Sequence, residues 1–263
     1  MHSAPATHPS HQPDAADLWR EAGRGFARLF HASAAFSWFQ SSTACLALSG
    51  VACPDLNCGV IDTGPAIAED VLTMTTQLRE HHVPGLLLIT DAAGPDARAV
   101  AESVGLVSVG RMPLMVMKAQ QLKPPSRQFS LRRVVDGADL LAAIHVMATA
   151  FDLSAEMVDQ VFTEALLAAR DIDTALVLDG DHPVGAIQAT TTAGVTGIWS
   201  MATLPEHRRR GIARAALTEV LNQHFAKGSH TAFLIATQAG RPLYDAFGFE
   251  VIDWCEVWLC QND

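Results

Sequence analysis

The stretch Glu206–Leu221, EHRRRGIARAALTEVL, decides how this chain is read. Three consecutive arginines meet a glycine. Apolar residues then recur at helical spacing, so that Ile212, Ala216, Leu217, Val220 and Leu221 share one side of a helix. Just upstream, TGIWSMAT (Thr196–Thr203) reads as a strand. The first turn of a helix has unpaired N–H groups and a partial positive charge. Gly211 lets the backbone approach a ligand closely, Ala213 hardly obstructs it, and Arg208, Arg209 and Arg210 add full charges. Together these make a seat for a phosphate or pyrophosphate. A solvated arginine block before an ordinary helix is the plainer reading of the run alone. The glycine, the small residue and the preceding strand all fit the other purpose.

The whole chain has 263 residues, a formal net charge of −10 and 49 % hydrophobic residues. That length allows one large or two small domains, either with a real core. The acidic balance argues against a nucleic-acid partner, because phosphate neutralisation needs a basic face. Five cysteines (Cys45, Cys53, Cys58, Cys255, Cys260) have no metal-ligand spacing, so no metal is expected. Their odd number reads as reduced thiols and a cytoplasmic setting. Cys255 and Cys260 lie five apart on a strand and should face opposite sides. The opening MHSAPATHPSHQPD, residues 1–14, is polar and rich in His and Pro; it reads as a disordered tail, not a signal peptide. No apolar run is long enough for a membrane span.

Along the chain, Leu18, Trp19, Ala22, Phe26, Leu29 and Phe30 recur at helical spacing. Strands are expected at Thr43–Val51 and Asn57–Asp62, then a helix opened by Pro65. GLLLIT (Gly85–Thr90) reads as a buried strand, Pro95–Val104 as a short helix and Gly105–Met117 as a long strand. His81-His82 reads as the end of a helix. KAQQLKPPSRQ (Lys118–Gln128) is the linker candidate. Beyond it come a strand at Phe129–Val135 and helices at about Ala138–Phe151 and Ala155–Arg170, the second with Ser154 as N-cap. A hairpin turns at Asp179-Gly180-Asp181-His182. TAFLIAT (Thr231–Thr237), a helix at Pro242–Phe247 and a strand at Phe249–Leu259 close the chain. LLLITDAAG … AESVGL matches AFLIATQAG … YDAFGF in order and character, a diverged internal repeat.

Arg208-Arg209-Arg210-Gly211-Ile212-Ala213 resembles the Q/R-x-x-G-x-G/A signature of the GNAT superfamily, which transfers acyl groups from acyl-CoA. MATLPEH before it is similar to that family's strand and Val-x-Pro segment, with Thr203 where Val is usual. PLYDAFGF (Pro242–Phe249) is similar to the second signature, L-Y-x-x-x-G-F. The resemblance implies an α/β (α+β) fold of two GNAT-like domains, each a mixed sheet flanked by helices. The implied division is a tail at 1–14, a degenerate copy at 15–118, a linker at 119–127 and an active copy at 128–263.

The resemblance also implies roles. The backbone of Met201, Ala202 and Thr203 would bind the pantetheine arm like an added strand. Amides and side chains from Arg208 to Arg214 (Arg208, Arg209, Arg210, Gly211, Ile212, Ala213, Arg214) would hold the pyrophosphate of acetyl-CoA. Tyr244, the only tyrosine, would be the general acid that protonates the leaving thiolate. The acceptor would be a small-molecule or peptide amine; a catalytically silent acyl-CoA-binding scaffold and a longer-acyl or aminoacyl donor are the alternatives. The expected strand at Thr196–Thr203 carries no carboxylate to serve as base. Asp152, Glu156, Asp253 and Glu256 are the acceptor-side candidates, with plain solvation the simpler reading of each. In the first half, DTGPAIAED (Asp62–Asp70) stands where the phosphate loop should be, and its carboxylates would repel phosphate. Ala101 occupies the position matching Tyr244. The first half is therefore expected to act as a scaffold that shapes the acceptor site.

Overall fold

The computed structural model describes residues 13–64, 66–123 and 129–261. Most of the expected tail, Pro65 and much of the expected linker lie outside the described residues. Asp14 does not belong to a tail. It caps the first helix, its carboxylate accepting from the Asp17 N–H at 2.8 Å.

The first half runs α1 (Ala15–Phe30), β1 (Ser37–Gln40), β2 (Ala44–Leu48), β3 (Asn57–Ile61), α2 (Ile67–Glu80), β4 (Gly85–Thr90), α3 (Gly94–Ser103) and β5 (Val107–Lys118). The second runs β6 (Ser130–Arg133), α4 (Gly137–Phe151), α5 (Ala155–Val161), β7 (Ile172–Asp179), β8 (His182–Thr192) and β9 (Val195–Thr203). It ends with α6 (Ile212–Ala226), β10 (Thr231–Ile235), α7 (Arg241–Phe247) and β11 (Glu250–Cys260). The β7–β8 hairpin turns where expected, with Asp179 opposite His182 and Gly180 at φ +66°. Two local expectations fail. Strand β1 has no strong alternation and was not foreseen. The helix expected over Ala155–Arg170 breaks at Val161, and a 3₁₀ turn follows at Glu164–Ala168. Phe162 and Leu166 are buried across this break, and Thr163 donates from Oγ1 to the Ala32 carbonyl (3.2 Å). Burial of both side chains outweighs helical continuity. Ser154 sits at the N-cap of α5, but its side chain makes no capping bond.

The strands among the described residues join one sheet of eleven, in the order β1-β2-β3-β4-β11-β5-β10-β9-β8-β7-β6. The order is nearly symmetric about the β11–β5 pair: four strands lie beyond β11 and five beyond β5, the edge strand β6 having no counterpart. Each half has a parallel pair, β3–β4 and β9–β10, and the last strand of each half is inserted into the other. Strand β5 pairs antiparallel with β10, and β11 pairs antiparallel with β4. The two exchanged strands also pair with each other, from Glu250 opposite Val116 to Leu259 opposite Val107. This symmetry is the structural form of the sequence repeat.

Both faces are covered, and side-chain alternation assigns them. On one face α1 and α4 pack over Cys45, Ala47, Leu114, Val116, Phe233, Cys255 and Val257. On the other, α6 covers Met115, Met117, Ala232 and Leu234, while α2 and α3 cover Leu46, Leu48, Ile89, Trp258 and Cys260. Cys255 and Cys260 thus face opposite sides as expected, and all five cysteines are free. Helix α1 belongs to the first half yet reaches β9 of the second. Gly25 permits this, since a Cβ there would lie 2.2 Å from the Trp199 ring. Further ties between the halves run from Trp19 Nε1 to Asp253 Oδ2 (2.8 Å) and from Arg28 to Asp171 (3.1 Å).

Candidate functional site

Strands β9 and β10 begin as a parallel pair, Thr231–Phe233 against Val195–Gly197. Pairing stops there. Strand β9 continues through Thr203 held only by β8, so the edge of Ile198–Thr203 that faces β10 is paired with no strand. A bulge lies within the unpaired stretch. Ser200 and Met201 together oppose Ile187, between the pairs Gln188–Trp199 and Ala186–Ala202, and Ser200 has φ +45°. The corresponding pair in the first half does not open: β3 and β4 stay in register from Cys58–Leu86 to Ile61–Ile89.

The chain leaves β9 at Thr203, passes a 3₁₀ turn at Pro205–His207 and enters α6 at Gly211. Two left-handed residues, Arg209 (φ +63°) and Gly211 (φ +86°), shape the entry. The Ala215 N–H bonds back to the Gly211 carbonyl (3.0 Å), so the amides of Ile212, Ala213 and Arg214 open towards the loop. A Cβ added at Gly211 would meet nothing within 4 Å, which leaves open space beside the helix start. Ile212 is buried in the core under α6, and Ala213 is half-buried.

The arginines divide between structure and solvent. Arg208 donates to the Ala150 carbonyl (2.9 Å) and, more weakly, to that of Thr203 (3.4 Å). Arg210 pairs with Asp179 (2.7 Å) and contacts His207 Nδ1 (2.6 Å). Arg214 lies over the Phe247 ring, 5.3 Å from its centroid. Arg209 is exposed on its left-handed backbone. Much of the charge block therefore holds the loop against the hairpin and α4.

The cleft between β9 and β10 opens into a cavity of about 270 Å³ lined by Met201, Ile235, Thr237 and Tyr244. Tyr244 packs edge-on against Phe249, ring centroids 5.9 Å apart. Burial pushes its phenol up to about 12, so it stays protonated at neutral pH. Ala202 is buried opposite Ala186, and Thr203 pairs with Gly185.

A second cavity of about 270 Å³ adjoins the first on the α1/α4 face. The two share Phe26, Asp55, Phe151, Trp199 and Ser200. Trp199 is the pivot. Its Nε1 donates to Thr190 Oγ1 (2.8 Å), with Phe26 5.4 Å and Phe233 5.7 Å from its ring. None of these shared residues stood out in the sequence, because they meet only when the two halves share a sheet.

The carboxylates singled out earlier lie elsewhere. Asp253 accepts from Trp19 Nε1; Glu256 accepts from Ser108 (2.6 Å) and pairs with Arg98 (3.3 Å). Asp152 caps α4 in the left-handed region and Glu156 is exposed. None of the four lines either cavity. Among the described residues no group of three or more His, Cys, Asp or Glu converges as a metal site.

Residues 141–249 match the family model described as acetyltransferase (GNAT) family. Comparison with curated proteins gives no match. Among solved structures, a GCN5-related N-acetyltransferase from Kribbella flavida has a TM-score of 0.69 at 18 % identity, covering 94 % of this chain and 96 % of that one. A functionally unknown conserved protein from Staphylococcus epidermidis scores 0.65 at 16 % identity, covering 86 % and 93 %. A tandem GNAT protein from the clavulanic acid biosynthesis pathway scores 0.57 at 14 % identity, covering 96 % and 90 %. At these identities the likeness is one of fold.

Proposed function

We propose that the chain, whose residues 141–249 match the GNAT acetyltransferase family model, moves an acyl group, acetyl by default, from acyl-CoA to a primary amine. The observation that carries this reading is the opening of β9 from β10 beside an uncapped helix start, with Tyr244 in the cleft. In this reading the open edge of Ile198–Thr203 binds the pantetheine arm through backbone groups at Met201 and Thr203, with Ala202 holding the strand in register. The amides of Ile212, Ala213 and Arg214 and the exposed Arg209 receive the pyrophosphate. Arg208 and Arg210 hold the loop in that shape. Acetyl-CoA supplies an acyl group already activated as a thioester.

The chain's own contribution is to position, exclude water and manage protons. A free amine must be neutral to attack. With a pKa of about 10.4, reaching that form at pH 7 costs roughly 4.6 kcal/mol, which desolvation in an apolar cavity offsets in part. Tyr244 holds a proton on its phenol oxygen and gives it to the departing sulfur. The first half would bind no acyl-CoA and would shape the acceptor side. Its parallel pair stays closed, Asp62 bonds to Thr90 Oγ1 (3.0 Å) and Asp70 to Thr43.

Free-thiol release from acetyl-CoA, followed with a panel of primary amines, tests the reading. Amine-dependent release supports it. Stabilisation by acetyl-CoA without release to any amine would favour the silent scaffold, and release only from longer acyl or aminoacyl thioesters would favour the other donors.

A further inference from the structure

The two adjoining cavities have an uneven chemistry. The one between α1 and α4 is walled by Leu29, Phe30, Leu56, Met147, Val158 and Phe162, all apolar. Its neighbour leads to Tyr244 and the opened strands. Among all residues lining either cavity, one carries a charge: Asp55, which lines both. Asp55 sits in the 3₁₀ turn Pro54–Leu56, contributed by the first half of the chain. The residue is exposed and lines both cavities, and partial desolvation raises its pKa from the ordinary carboxylate value. Its own backbone N–H offsets part of that shift, and no Lys, Arg or His contributes to it. Cys58 shares the wall, but burial holds its thiol well above its ordinary value, so it adds no charge. Asp55 is exposed, and it sets the one carboxylate of either lining at the junction of an apolar chamber and the cleft, where an incoming cation would meet it.

We propose that the chamber receives a primary amine carried on an apolar, aromatic-sized body, with Asp55 accepting a hydrogen bond from its amino group. The assignment of that amine as acyl acceptor rests on the acyltransferase reading above; the binding itself does not. The geometry sets the orientation. The apolar body lies between α1 and α4, and the amino group stands at Asp55, beside Ser200 and the cleft that holds Tyr244. Phe151, 47 % exposed and lining both cavities, forms part of the mouth. A polyamine would place further ammonium groups against apolar walls with no second carboxylate to meet them, and is disfavoured.

The test is calorimetric titration of the full chain, in the presence of free coenzyme A, with 2-phenylethylamine, 2-phenylethanol and spermidine, repeated on Asp55→Asn. That substitution removes charge from a side chain bonded to no other residue, so the fold is retained. The expected result is binding of 2-phenylethylamine that weakens about 10- to 100-fold in the variant, with 2-phenylethanol unchanged. No binding of 2-phenylethylamine, equal binding by both proteins, or tighter binding of spermidine would overturn the proposal. Binding with this profile but no acetylation of the amine leaves the proposal standing and refutes the acyltransferase reading. Acetyl transfer to spermidine alone does the reverse.

Discussion

Tyr244 owes its acidity to its surroundings and not to a partner. No charge is near enough to set it; burial alone raises it to about 12. In the proposed mechanism the protonated phenol is the working form, so activity due to Tyr244 should be lost only as pH rises through about 12. Any alkaline limb seen below pH 10 belongs to another group. Tyr244→Phe should lower kcat by roughly 10²–10⁴-fold, leaving the KM for acetyl-CoA and the pH profile below 10 unchanged. An unchanged kcat in steady-state assays would make Tyr244 a packing residue. Gly25 makes a sharper claim about packing. Alanine there would gain up to about 1 kcal/mol of helix propensity, but its Cβ would lie 2.2 Å from the Trp199 ring. Overpacking of that kind costs about 1–3 kcal/mol, so the clash wins. Gly25→Ala should lower the melting temperature and shift Trp199 fluorescence; a higher melting temperature would contradict this. Tyr244 was legible in the sequence because PLYDAFGF is a contiguous pattern. Asp55 was not, because its neighbours Phe26, Phe151 and Trp199 come from three distant stretches.

Elements explain why the proposed donor site falls in the second half and not in the first. In the second half, β9 parts from β10 just past Gly197 and carries a bulge at Ser200–Met201 beyond that point. In the first half β3 and β4 run together to Ile61 and Ile89. The glycine at the start of α6 was readable, as was the strand before it. The division of labour among the arginines was not, since Asp179 and Ala150 approach only through the hairpin and α4. Gly211→Glu tests this element directly. A left-handed backbone strains any L side chain, and a carboxylate would enter the open space proposed for phosphate. In wild type, acetyl-CoA at 100 times its Kd should stabilise the fold by about 2.7 kcal/mol, raising the melting temperature by a few degrees. Differential scanning fluorimetry should show that rise absent in Gly211→Glu; an equal rise in both would place the nucleotide elsewhere.

Across the whole molecule, the sequence revealed the repeat but not the exchange of its last strands. The reason is degeneracy. Strands β5 and β11 are similarly long, and each follows a short helix after a buried strand, so local pattern cannot tell which parallel pair each will join. The structure pairs β11 with β4 and β5, both from the first half, and β5 with β10 and β11, both from the second. Neither half is then a complete sheet. A fragment starting near Lys123 leaves β11 with no strand neighbour at all and strips α1 from Trp199. It should be insoluble or molten by near-UV circular dichroism, and regain structure when mixed with the fragment ending at Lys118. An isolated second half with native melting and full activity would contradict the account.

The proposed function requires a single acyl-CoA site, formed where β9 leaves β10. Calorimetric titration of the intact chain with acetyl-CoA counts it. One molecule should bind per chain, with binding abolished in Gly211→Glu. Two equivalent sites per chain, or one site unaffected by that substitution, would contradict it.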